Sequence, residues 1–120
     1  MKLLKAYIRT FMVDAVIHAL KTIGAPRLTA IDVRALGDEI APDKLNISAK
    51  LGSTYTTMVK LELVCNDKCV EEAVKVIQKE ARTGRKGDGI IVISPIEQAI
   101  KIRTGRKGEK SIINCNGKTK

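Results

Sequence analysis

The sequence predicts an α+β fold from three patterns: four β-branched runs of strand length, two stretches of apolar residues at helical spacing, and their order along the chain. Residues Lys2–Arg9 read as the first strand, with Leu3-Leu4 and Ala6-Tyr7-Ile8 filling both faces. Thr10 is placed to cap the first helix, where Val13, Val16, Ile17, Leu20 and Ile23 recur on one side; Gly24 closes it. Ala25-Pro26-Arg27 connects to a second strand, Leu28–Leu36, with Ile31, Val33 and Ala35 on one face and Asp32 and Arg34 on the other. Gly37–Thr54 breaks the pattern: it is a long, polar connection of the kind that is functional or mobile in a compact domain. Pro42 can start a short helix in it, with Ile40, Ile47 and Leu51 spaced along one side. Tyr55–Val64 is the third strand. Asn66-Asp67 caps the second helix, with Glu71 and Glu72 expected in its first turn, Val70, Ala73, Val74, Ile77 and Ala81 as its apolar stripe, and Gly84 as its end. Gly89–Ser94 is the fourth strand, Pro95–Ala99 a turn, and Ile100–Ile102 a short extra strand. The order β-α-β-β-α-β is the ferredoxin-like split βαβ pattern, in a domain over residues 1–110 followed by a polar tail expected to fray over 111–120. Two helices cover one sheet face. The other face carries Val and Leu with nothing in the sequence to cover it, which predicts an oligomer.

Composition narrows the function classes. The net charge is +9, and from Arg82 onward ten basic residues face three acids, so seven of those nine charges sit in the last third. Such a field steers anions, and on this ground alone nucleotide, nucleic acid and acidic lipid all remain open. Tyr7, Phe11 and Tyr55 are the only aromatics, which argues against base stacking on the sheet and hence against a nucleic-acid binder, the competing function for this architecture. Lys5, Arg9 and Asp14 interrupt the apolar start, so no secretory leader or membrane span is expected; a soluble, cytoplasmic protein is. Three cysteines without a leader predict reduced thiols. Cys65 and Cys69, with Cys115, are candidates for a soft metal or for inert buried thiols, but their spacing is not a zinc pattern, and no metal site is predicted. The single histidine, His18, lies off the apolar stripe of the first helix, and no nucleophile or general base stands near the basic loops; the chain is not expected to be an enzyme.

The most informative local feature is a repeat. Arg-Thr-Gly-Arg-Lys-Gly occurs at Arg82–Gly87 and again at Arg103–Gly108, each copy with three cations and two glycines. Glycines let backbone N–H groups approach an anion, and Arg and Lys neutralise it. The first copy continues into Asp88-Gly89. No Gly-Lys-Ser/Thr follows, so this is not a Walker loop. Lys101 and Arg103, beside strand residues, are better phosphate candidates than Arg106, Lys107 or Lys110. Glu62, flanked by Leu61 and Leu63, is a candidate for holding a base or ribose, or else pairs with Lys60. Thr29 is a candidate for the same cleft, and Tyr7 packs near a base or in the core.

Ala81–Gly89 together with Ile102–Gly105 resembles the signature of the nitrogen-regulatory PII signal-transduction proteins, and Met1-Lys2-Leu3 and Lys60-Leu61-Glu62 are similar as well; the resemblance covers about Met1 to Glu109. It implies a homotrimer whose sheets face a common axis, with ATP or ADP in the clefts between subunits. It implies that a B-loop, here Thr83–Gly89, wraps the phosphates through Thr83, Lys86, Gly87, Asp88, Gly89 and Ile90. Tyr7, Thr29, Ala35, Leu36, Gly37, Asp38, Glu62 and Val64 are the other residues expected at the nucleotide. Lys101 and Arg103 are implied to add cations from the C-terminal loop of the neighbouring subunit. The T-loop, here Gly37–Thr54, is implied to carry the signal to a regulated transporter, efflux system or enzyme, through Glu39, Ile40, Leu45, Ile47 and Leu51.

The chain also departs from the family. Glu39 stands where the family has a glutamine that helps hold Mg²⁺ and 2-oxoglutarate, Met58 where a lysine pairs with 2-oxoglutarate, and Ile90 where a lysine reaches the terminal phosphates. Lys101 replaces an arginine, and Leu51 stands at the place of a modified tyrosine. A weak 2-oxoglutarate response is therefore expected, with Mg²⁺ possible at Glu39 and a preference for ADP or AMP over ATP. The altered T-loop resembles that of a branch associated with heavy-metal efflux.

Overall fold

A computed structural model of the chain describes residues 1–38, 40–48, 53–112 and 115. Its elements are β1 (Lys2–Arg9), α1 (Val13–Thr22), β2 (Thr29–Ala35), β3 (Asn46–Ser48), β4 (Ser53–Cys65), α2 (Asp67–Ala81) and β5 (Gly89–Pro95). The sheet runs β2-β4-β1-β5, every pair antiparallel, and β3 pairs with the start of β4. β1 is central, with Tyr7 opposite Lys60 on one side and Ile90 on the other. This is the predicted ferredoxin-like architecture.

Alternation along the strands sorts the two faces. Leu4, Ala6 and Ile8 of β1 and Val59, Leu61, Leu63 and Cys65 of β4 are buried against Val16 and Leu20 of α1 and Val70, Ala73 and Ile77 of α2. The intervening residues point to the other face: Leu3, Lys5 and Tyr7; Met58, Lys60, Glu62 and Val64; Ile90 and Val92. Of these, Ile90 is 61% exposed and Val92 41%. The face is mixed rather than purely apolar, and Lys60 and Glu62, two residues apart on one strand, form an ion pair at 3.7 Å.

Several local expectations are corrected. Thr10 does not cap α1; the chain enters it through a 3₁₀ turn, Thr10–Met12, and the Thr10 hydroxyl instead donates to the Thr57 carbonyl at 3.2 Å, because β1 brings it beside β4. Asn66 does cap α2, accepting from the Cys69 N–H at 2.9 Å, but the acid in the first turn is Asp67, with Glu71 and Glu72 a turn further on. That helix ends at Ala81, not Gly84, since the N–H groups of Thr83 and Gly84 are taken by Asp88. Pro42 does start a short helix, the 3₁₀ turn Pro42–Lys44, but Ile47 lies in β3 with 86% of its surface exposed, so Ile40 and Ile47 do not share a helical face; Leu51, like Glu39, lies outside the described residues. Ile100–Ile102 makes an isolated bridge, Ile100 opposite Lys107, rather than a strand. The second repeat curls there into a turn, with Lys101 N–H on the Arg106 carbonyl at 2.8 Å and Gly105 N–H on the Lys101 carbonyl at 2.7 Å.

The thiol expectation is also overturned. Cys69 and Cys115 form a disulfide across a separation of 46 residues, leaving Cys65 as the free thiol. The described part of the C-terminal segment therefore does not fray: Ile112 and Cys115 are each 8% exposed. An apolar Ile112 and a covalent tie to the start of α2 outweigh the polarity of the neighbouring residues.

Candidate phosphate cradle and the cleft beside it

The loop between α2 and β5 is built around one carboxylate. Asp88 accepts from the Thr83 N–H at 2.8 Å, the Gly84 N–H at 2.9 Å and the Arg9 Nε at 3.0 Å, and also from the Thr83 hydroxyl. Burial by itself disfavours its charge. The Thr83 hydroxyl and N–H, the Arg9 guanidinium and the Gly84 N–H outweigh that and hold the carboxyl well below the usual carboxylate range. The Thr83 oxygen accepts in turn from the Arg85 N–H at 3.2 Å. With those donors used, the N–H groups of Lys86 and Gly87 have no partner among the described residues. They lie in a loop whose exposed side chains include Arg82, Arg85 and Lys86. Unpartnered backbone donors amid cations are the features of a candidate anion site.

Arg9 supports the loop from behind. Its side chain is 3% exposed, and besides Asp88 it reaches the Lys86 carbonyl through Nη2 at 2.8 Å. Buried charge of this kind requires full pairing, which Asp88 and the carbonyl supply. Sequence reasoning passed over Arg9: a lone arginine ending a strand carries no signal until the register places it against the loop. Asp43, 3.7 Å from Arg9 Nη1 and 3.4 Å from Arg85 Nη1, was passed over for the same reason.

Two glycines make room for this arrangement. Gly87 has φ 98° and is buried against the long loop; a Cβ there would come within 2.5 Å of the Ala41 Cα and N. Gly89 has φ 108°, and a Cβ would collide with the Tyr7 carbonyl. Neither position admits a side chain without backbone movement.

Nine of the expected contact residues line two clefts, while Thr83, Lys86 and Gly87 lie in the loop itself and line neither. Tyr7, Asp88, Gly89 and Ile90 line a cleft of about 450 Å³ beneath the C-terminal end of α2. Thr29, Glu62, Val64, Lys101 and Arg103 line another of about 690 Å³, walled also by Arg27, Ile100 and Ile112. Tyr7 of the first and Leu3 of the second are four residues apart on β1, about 14 Å along a strand. Ala35, at the end of β2, lies on the cradle side of the sheet, opposite Thr56; it lines neither cleft, nor do exposed Leu36, Gly37 and Asp38. Among the described residues no cluster of three or more His, Cys, Asp or Glu is placed to hold a metal, and no helix is long and apolar enough to cross a membrane.

The family model described as nitrogen regulatory protein P-II matches residues 1–106. A nitrogen regulatory protein P-II of Azospirillum brasilense is 37% identical over 112 residues, which is 93% of this chain and 100% of that protein. Those of Rhodospirillum rubrum and Cereibacter sphaeroides are each 39% identical with the same coverage.

Proposed function

The chain belongs to the nitrogen regulatory protein P-II family, and on that premise we propose that it is a non-catalytic regulator that binds an adenine nucleotide between the subunits of a homotrimer. The observation that carries this reading is the cradle: two backbone N–H groups without partners among the described residues, at Lys86 and Gly87, in a cationic loop braced by Asp88 and Arg9. A phosphate fits such a site because the donors are preorganised and an added Cβ at Gly87 would destroy its packing. The division of the other contact residues supports a shared site. One chain holds them in two clefts, and a neighbouring subunit that turns its second cleft toward the cradle brings both sets to one ligand. The half-covered sheet face, with Ile90 and Val92, supplies surface for that contact.

In this reading Thr29, Glu62 and Val64 receive the base and ribose, and Lys101 and Arg103 add charge to the phosphates. Ile90 contributes no cation, so a diphosphate or monophosphate is favoured over a triphosphate. Asp38, and Glu39 beyond the described residues, are the groups for Mg²⁺. The loop over 37–54 carries the signal, presenting exposed Leu45 and Ile47 to a partner in the cytoplasm, whether a transporter, an efflux system or an enzyme. Calorimetric titration of ATP, ADP and AMP, with and without Mg²⁺ and 2-oxoglutarate, tests it alongside a mass measurement in solution. The expected result is a trimer that binds ADP at least as tightly as ATP, with little help from 2-oxoglutarate. A chain that binds none of the three, or remains a monomer, refutes it.

A further inference from the structure

The long loop is docked on the cradle at two points. Ala41 is fully buried against Gly87, and its carbonyl accepts from the Thr56 hydroxyl at 3.4 Å. Two residues on, the Asp43 carboxylate lies between two guanidinium groups, Oδ1 3.7 Å from Arg9 Nη1 and Oδ2 3.4 Å from Arg85 Nη1. The two arginines are not equivalent. Arg9 is buried and already committed to Asp88 and the Lys86 carbonyl. Arg85 is 68% exposed at the tip of the cradle, and among the described residues Asp43 is the partner of its side chain. It is thus the cation free to turn.

We propose that Asp43 is the residue that couples the long loop to the cradle: its carboxylate occupies Arg85 when the cradle is empty, and a polyphosphate group displaces it. This rests on the cradle being a phosphate site. A phosphate at the Lys86 and Gly87 N–H groups lies beside Arg85 and competes with Asp43 for the same guanidinium, which is the better bidentate partner for a phosphate. It also repels the Asp43 carboxylate directly. Docking of Asp43 and binding of the polyphosphate therefore oppose each other. By linkage the loop weakens the ligand by the same factor as the ligand weakens the dock. Ala41 remains as the hinge-side anchor and β3 stays paired with β4, so the part released is the turn between them, which carries Leu45. Asp43 acts through Arg85 rather than by touching the ligand, and is a positioning residue.

The test uses the full chain with Asp43→Asn, Arg85→Gln and the double variant. Asp43→Asn is expected to bind ADP and inorganic tripolyphosphate roughly 5–50-fold more tightly than the parent, a typical coupling factor. Without ligand, hydrogen exchange at 43–45 is expected to rise in Asp43→Asn and in Arg85→Gln, with no further rise in the double variant. Exchange there should also rise in the parent when tripolyphosphate is added. Unchanged or weaker binding by Asp43→Asn overturns the proposal, as does unaltered exchange in the single variants. If no nucleotide binds but tripolyphosphate does, the nucleotide reading falls and the clasp is judged on tripolyphosphate alone. If neither binds, both fall.

Discussion

Asp88 and Arg9 are the residues on which the cradle depends. Asp88 receives four donors from three residues, and its depressed pKa is the electrostatic expression of that count. That depression fixes the sign of its effect on stability. An unfolded aspartate titrates near about 4. Above that value both states are ionised and the native hydrogen bonds contribute fully. Below it the unfolded chain takes up a proton that the native carboxylate refuses, so stability falls as pH drops toward the native pKa. Asp88→Asn is expected to cost about 2–4 kcal/mol at pH 7, since buried Arg9 keeps only the more distant Asp43 carboxylate and the loop N–H groups lose their charged acceptor. It should also flatten the fall in denaturation midpoint below about pH 4, where the unfolded carboxyl takes up its proton before the native one does. An equally steep fall in the variant would show that another carboxylate governs that range. Cys65 gives a second residue-level prediction. Burial pushes its thiol up to about 11, so at pH 8 iodoacetamide should modify it at least roughly 100-fold more slowly than it modifies a free thiol, reaching ordinary rates only on unfolding.

Among the elements, the two loops form the candidate site and the strands aim them. β1 ends in Arg9 against the cradle, and β5 begins at Gly89 directly after it, so the cradle is pinned at both ends to adjacent strands. Its contact with the long loop is through Gly87 and Ala41. Gly87→Ala combines a positive φ with a backbone collision, and should destabilise the fold by about 2 kcal/mol. Thermal melting measures that loss, and a melting point within a degree of the parent would mean that the loops separate freely. The strands were legible in sequence to within one or two residues, because burial on one face forces alternation. β3 was not. It has three residues, Asn46-Ile47-Ser48, too few for a periodic signal, and exists because β4 extends outward to pair with it. The end of α2 was misplaced because Asp88 takes the N–H groups that would have continued it, and the start of α1 because a 3₁₀ turn leads into it.

At the scale of the whole molecule, β4 spans about 44 Å at an ordinary strand rise, close to the longest dimension of 45 Å. The radius of gyration, 15.8 Å, exceeds the roughly 14 Å expected of a compact chain of this length. Such an elongated shape exposes more surface than one small core requires. The C-terminal segment is drawn back onto the body by Cys69–Cys115, and Ile112 thereby becomes a wall of the cleft holding Glu62, Lys101 and Arg103. Closing a loop of this size is worth about 4 kcal/mol in a chain-entropy estimate, with 2–4 the usual range. Cys115→Ser, or reduction by a dithiol, should lower the denaturation midpoint accordingly. Unchanged stability after complete reduction would mean that packing of Ile112 alone holds the segment.

The sequence by itself determined the element order, the two-helix core and the family, and it drew attention to the candidate anion loop, because each is written in local spacing: alternation, helical periodicity, and Gly-Arg-Lys-Gly-Asp-Gly. It also singled out Lys101 and Arg103 from the cations around them. Only the tertiary structure decided which distant groups meet. Arg9 behind Asp88, Asp43 between two arginines, Cys115 on Cys69 and the division of the contact residues into two clefts depend on strand register and chain return, which bring together residues 34 to 79 positions apart. Pairings over such distances leave no periodic trace, since either partner alone reads as an ordinary surface charge or a spare thiol.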